Sequence, residues 1–344
     1  MRKRGKAHFW VIMEFAIALV MLTVLVGILL VRRAEKQKAV EASAPVMYSQ
    51  EEVDALLVRV KEETTDEIKQ ELLGEISKQL ADGQTVVETL RPLYPNQLVV
   101  VSNGRFHFVP IRDDLKHNSY QKDEFTLLEN GEWQYQNDGQ IQSHKGVDVS
   151  KFQGRIDWTQ VAGDGVEFAI IRVGLRGYGS GKLVEDEFFE QNIEGALRAG
   201  IKVGVYFYSQ AITEEELLEE ANFVLEKIAP YQIECPVVYD VERVVGADGR
   251  MNALSVEERT NLTLLFCRKI AEAGYRPMIY HNMEMSVLML DLEQLEDYGK
   301  WFAYYNSDFY YPYAYDIWQY SEKGKVNGID GDVDLNISFG PIWN

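Results

Sequence analysis

The chain has 344 residues, 46% of them hydrophobic, with a formal charge of −19. That length allows two or three domains. Residues 1–40 hold eight Lys/Arg against Glu14 and Glu35, while the rest carries 27 basic residues against 52 acidic ones. So acidic a body excludes phosphate-backbone binding of the usual kind, and no nucleic-acid partner is expected.

Residues 1–8 form a basic segment, expected on the cytoplasmic side. Phe9 to Val31 follow as a run of 23 residues whose only ionisable member is Glu14. As a helix it would reach about 34 Å, against a hydrocarbon core of about 30 Å. The run is longer than a signal-peptide core, so an uncleaved single-pass anchor in the cell membrane is expected, with the lipid bilayer as its partner. Four Lys/Arg stand on either side of it, so charge alone does not orient the span. An extracytoplasmic catalytic domain follows only from its inferred substrate.

The interval 32–91 reads as a helical, coiled-coil-like stalk. Val53, Leu57, Val60, Ile68, Leu72, Ile76 and Leu80 lie at helix-face spacings, and Thr64-Thr65 interrupts them. Both self-association and packing of a helix on the rest of the protein fit this pattern. Over 97–142, β-branched runs alternate with Asn103-Gly104 and Asn130-Gly131, which predicts a small antiparallel β-rich region.

From 145 to 344 eight short apolar runs recur, at 146–150, 168–174, 203–209, 236–242, 277–280, 301–305, 316–320 and 333–337. Helical periodicity fills 187–199, 214–229 and 255–273. Thr213 and Ser255 are suited to cap two of these helices, and Gly200 and Gly274 to stop two. Strand–helix alternation of this kind predicts an α/β fold with parallel strands closed into a TIM-like barrel, irregular because its later connections are short.

Chemistry in such barrels gathers at the carboxyl ends of the strands. Asp148 ends the first run, Asp240 and Glu242 end the fourth, and Asp334 lies in the eighth. Asp240 and Glu242 share a strand face about 7 Å apart, from a rise of about 3.4 Å per residue. Like-charge repulsion and burial then raise one proton affinity above the other, giving the neutral acid and the anion that glycosidic cleavage needs. Tyr178, Tyr206, Tyr208, Tyr305 and Trp318 are candidates for sugar stacking, with core packing as the competing role. His144 and His281 have no partner at metal spacing, and Cys235 and Cys267 form no metal or redox motif.

Gly146-Val-Asp-Val-Ser-Lys-Phe-Gln-Gly-Arg-Ile-Asp-Trp158, Tyr206-Phe-Tyr-Ser-Gln-Ala211, Asp240-Val-Glu242, Trp318-Gln-Tyr-Ser321 and Val333-Asp-Leu-Asn336 resemble, in order, the blocks of glycoside hydrolase family 25, the Chalaropsis-type lysozymes. The resemblance covers 145–344 and none of 1–143. It implies an N-acetylmuramidase acting on peptidoglycan glycan strands, with no cofactor and no metal. Glu242 would be the general acid and base, Asp240 would assist the 2-acetamido group, and Asp148 and Asp334 would complete an acidic floor. Two other readings remain: a glycan-binding scaffold without turnover, and a hydrolase holding Mg²⁺ or Ca²⁺ on its four carboxylates.

Overall fold

A computed structural model of the chain describes residues 46–63, 66–306 and 309–343. The apolar run 9–31 lies outside the described residues; among those described, no helix is long and apolar enough to cross a membrane. The described residues divide into two compact units, one ending at Pro110 and the other beginning at Ile111.

In the first unit, strand β1 (Val46–Tyr48) leads into helices α1 (Gln50–Glu63), α2 (Asp66–Ala81) and α3 (Val86–Leu90). Strands β2 (Gln97–Ser102) and β3 (Arg105–Pro110) then form a hairpin whose Asn103-Gly104 turn has positive φ at both residues. β1 pairs antiparallel with β3. Val53 of α1 and Leu90 of α3 are buried with Val99, Phe106 and Phe108, so these helices pack on the sheet of their own unit. Along α2 the stripe stays partly open, and Leu80 is exposed.

The second unit begins with a separate three-stranded sheet: β4 (Phe125–Leu127), β5 (Trp133–Asn137) and β6 (Gln140–Ile141). The region 97–142, expected as one small β-rich unit, is therefore divided. Its first two strands are shared with β1 and its last three belong to the unit that carries the barrel, because β3 finds its second hydrogen-bonding edge at Val46–Tyr48 rather than downstream.

The barrel strands are β7 (His144–Val149), β8 (Phe168–Arg176), β10 (Lys202–Tyr208), β11 (Val237–Asp240), β12 (Pro277–Asn282), β13 (Gly299–Ala303), β14 (Ile317–Gly324) and β15 (Val333–Ser338). β9 (Leu183–Glu185) folds back on β8, and pairing of β8 with β10 closes the ring. Short α4 (Trp158–Gly163) and the longer α5 (Phe189–Arg198), α6 (Glu214–Ile228) and α7 (Val256–Glu272) cover the outside. Thr213 caps α6, whose first turn holds three glutamates; Ser255 and Glu258 form a capping box on α7. These satisfy exposed N–H groups and complement the helix dipole. Gly200 and Gly274 follow α5 and α7 at φ of 78° and 88°.

The barrel is not wholly parallel. β15 runs antiparallel to both β14 and β7. Only Lys325–Asp332 joins β14 to β15, and a parallel return needs a crossover of a dozen residues or more, so the strand turns straight back. Inside, Phe168, Ile170, Val238, Met278, Trp301 and Ile317 fill the floor. Gly146 leaves room for this floor: a Cβ there would lie 2.1 Å from the Phe168 ring.

Candidate active site

The pleat decides which residues reach the interior of the mouth. On β11 it is Val238 and then Asp240; on β12, Met278 and Tyr280; on β14, Ile317 and then Gln319. Glu242 follows two residues past the last paired residue of β11 and remains partly exposed. Asp334 comes to the mouth by another route. Because β15 is antiparallel, its amino end is the end at the mouth, and Asp334 pairs in register with Asp148. The expectation of carboxyl-end placement holds for Asp148 and Asp240 and is corrected for Asp334.

Asp148 is buried, and one of its oxygens, Oδ2, accepts from Gln319 Nε2 at 2.9 Å and Asn336 Nδ2 at 2.8 Å. Its carboxyl also shares a hydrogen bond with that of Asp334. Burial and then the charge of Asp148 push Asp334 up to about 9. Burial raises the Asp148 carboxyl too, but its amide donors and Asp334 pull the other way.

Asp240 has no such support. It is 6% exposed, and among the described residues its Oδ1 meets no hydrogen-bond donor. Burial, then the charges of Glu242 and Asp148, raise its proton affinity well above the usual range; Arg172 opposes them. Glu242 is pushed up to about 7, first by burial and then by Asp148, with the nearby Tyr280 hydroxyl opposing. Asp240 and Glu242 thus both hold their protons more tightly than ordinary carboxyls do.

Arg172 is held from behind. Its Nε donates to Asp186 Oδ2 at 2.7 Å, and the same carboxylate accepts from the Lys151 and Phe188 backbone N–H groups. Phe152, 77% exposed, lies over this guanidinium at 5.2 Å from ring centroid to Cζ.

The five aromatic candidates separate. Tyr206 is partly buried near Asp148, Asp240 and Asp334, and Tyr208 lies near Asp240 and Glu242. Tyr305 is half exposed, and its hydroxyl donates to Gln319 Oε1 at 2.9 Å. Tyr178 is half exposed on the loop after β8. Trp318 is turned away from the mouth. It is 2% exposed, donates its indole N–H to the Tyr304 carbonyl, and packs against Phe125 and Trp133 of the small sheet. Ile317 and Gln319 point inward, so the residue between them must point out.

Tyr280, Gln319, Asn336 and Arg172 belong to the site and were not singled out from sequence. The period of two was available for three of them: Gln319 lies two past Ile317, Asn336 two past Asp334, and Tyr280 two past Met278. Arg172 carries no comparable signal, since a cation in a buried strand reads as an interruption. Among the described residues no three His, Cys, Asp or Glu side chains are grouped to hold a metal ion.

A closed, mixed barrel with buried, proton-sharing carboxyls gathered at one rim has the equipment of a glycoside hydrolase. Residues 147–329 match the family described as Glycosyl hydrolases family 25, and the chain belongs to that family. It is 28% identical over 207 residues to the uncharacterized protein YegX of Escherichia coli K12, covering 57% of this chain and 70% of that one. It is 27% identical over 193 residues to an autolytic lysozyme of Clostridium acetobutylicum, covering 56% of this chain and 55% of the relative. The modular autolysin LytC of Streptococcus pneumoniae, solved with a synthetic peptidoglycan ligand, shares the fold at a TM-score of 0.51 and 22% identity, over 71% of this chain and 61% of that one.

Proposed function

We propose that this glycoside hydrolase cleaves the β-1,4 bond between N-acetylmuramic acid and N-acetylglucosamine in peptidoglycan. The observation that carries the reading is the buried Asp240 oxygen without a donor, beside a Glu242 carboxyl that titrates near neutrality. A 2-acetamido N–H is the donor this oxygen lacks. Its arrival favours ionised Asp240 and leaves the proton of the pair on Glu242. Glu242 then protonates the leaving oxygen, Asp240 steadies the acetamido group as its carbonyl oxygen attacks the anomeric carbon, and Glu242 next activates water. Tyr206, Tyr208, Tyr305 and Tyr178 offer rings to the sugars on the way in. Phe9–Val31 anchors the protein in the cell membrane with the barrel on the outer side, and the partly open stripe of α2 provides for self-association.

The test is release of reducing ends from purified peptidoglycan by the full chain, with products identified by mass spectrometry. Fragments ending in reducing N-acetylmuramic acid, lost on Glu242→Gln and indifferent to chelator, are expected. Binding to glycan without release, from a folded protein, would overturn the reading in favour of a scaffold. Detergent-dependent extraction that disappears on deletion of 9–31 tests the anchor.

A further inference from the structure

Two amides meet on one carboxylate oxygen. Asn336 cannot be turned round, because its Oδ1 accepts from Trp301 Nε1 at 2.8 Å and an indole nitrogen only donates. Its Nδ2 must therefore face Asp148. Gln319 is oriented the same way: its Oε1 lies 2.8 Å from the Tyr280 hydroxyl and 2.9 Å from that of Tyr305, and its Nε2 faces Asp148 Oδ2. All these side chains but Tyr305 are buried.

We propose that Gln319 and Asn336 are positioning residues, which by donating together to one oxygen of Asp148 fix it as the anionic partner and leave the proton of the Asp148–Asp334 pair on Asp334. The proposal deepens the muramidase reading and rests on it. An Oδ2 that accepts two N–H groups has no lone pair to spare for a proton. The other carboxyl oxygen is the one left to meet Asp334, whose O–H donates to it. The anion so fixed is the charge that acts on Glu242 and Asp240.

The remaining groups turned toward Asp148 leave this assignment in place. Asp240 and Glu242 on the β11 side add like charge, Tyr206, Tyr280 and Tyr305 present neutral hydroxyls, and Arg172 on β8 is engaged by Asp186. Tyr305 gives the network a solvent-facing end. A sugar that packs on its ring acts on Asp148 through a single amide.

The experiment is a double-mutant cycle on the full chain: Gln319→Met, Asp148→Asn and the pair. Loss of a hydrogen bond to a charged group predicts that Gln319→Met lowers kcat about 10- to 100-fold. KM should change little, and the acid limb of the pH profile should move to higher pH. In the Asp148→Asn background the same change should cost less than about 3-fold, because its route of action is gone. Equal losses in both backgrounds, or a raised KM at constant kcat, would overturn the proposal.

The thermal midpoint between pH 5 and 9 is measured across the same cycle and needs no turnover. Without its donor, Asp148 binds protons more tightly in the folded state, so the midpoint should fall more steeply with pH. That change should be absent in the Asp148→Asn background; a slope that Gln319→Met leaves alone, or alters equally in both, overturns the proposal even if no wall is ever cleaved. Asn336→Leu serves in the cycle if Gln319→Met does not fold.

Discussion

In the proposed reaction the proton comes from a pair of side chains two residues apart, Asp240 and Glu242, and the charge of Glu242 raises the proton affinity of Asp240. On that reading a bound acetamido group makes Asp240 an anion beside Glu242, and the last proton of the pair would leave Glu242 at or above about pH 7. The pH dependence of kcat should therefore show an alkaline limb there. Asp240→Asn removes a like charge, so the limb should move to lower pH while kcat falls; a limb that stays in place would separate the two carboxyls. A second residue shows how side-chain direction outranks side-chain type. Trp318→Ala should empty a packed site between β14 and the small sheet. It should cost about 3–5 kcal/mol in a denaturant titration, with KM for glycan unchanged where the variant folds. A raised KM at undiminished stability would return Trp318 to the groove.

Among the elements, the barrel strands were the legible part, because buried strands between capped helices leave apolar runs of the right length. All eight runs became strands within a few residues, and two of the three helices start at their expected caps, Thr213 and Ser255. Two things were hidden. The direction of β15 depends on the length of one connection, and an apolar run reads the same in either direction. The edge that completes the β2–β3 sheet comes from only three residues, Val46–Tyr48, too short a run to carry a pattern. The carboxyls of the mouth were legible as residue types, whereas Gln319, Asn336 and Tyr280 were not, since Gln, Asn and Tyr in a strand carry no charge signal. Packing against the floor gives a prediction at this scale. Gly146→Ala would drive a methyl into the Phe168 ring inside a closed ring of strands, where neither can retreat. An overpacking cost of about 1–3 kcal/mol is expected. For a unit of this size, roughly 2–4 °C of thermal midpoint is lost per kcal/mol, and the Gly146→Ala, Phe168→Leu double variant should recover part of it.

For the whole molecule, the gathered carboxyls set stability against pH. Glu242, Asp334 and the buried Glu220 are raised to about 7, about 9 and about 7, and Asp240 is raised as well. A folded state that binds more protons than the unfolded one loses stability as pH rises. The raised groups contribute their full stabilisation below pH about 4, the usual carboxylate range, and lose it as pH climbs through the folded values. The thermal midpoint of the barrel unit should thus decline from pH 5 to pH 9, and decline less in Asp334→Asn. A midpoint that rises over this interval would contradict the protonated floor.

The reversed last strand has a consequence for attachment. Ser338 pairs with His144, so the polypeptide enters and leaves the ring of strands at the same rim, the one opposite the carboxyls. An all-parallel ring would deliver its final residues to the rim where substrate arrives. Here the incoming and the outgoing chain both cross the rim opposite the carboxyls, so neither of the two strand ends joined to the rest of the chain lies at the mouth.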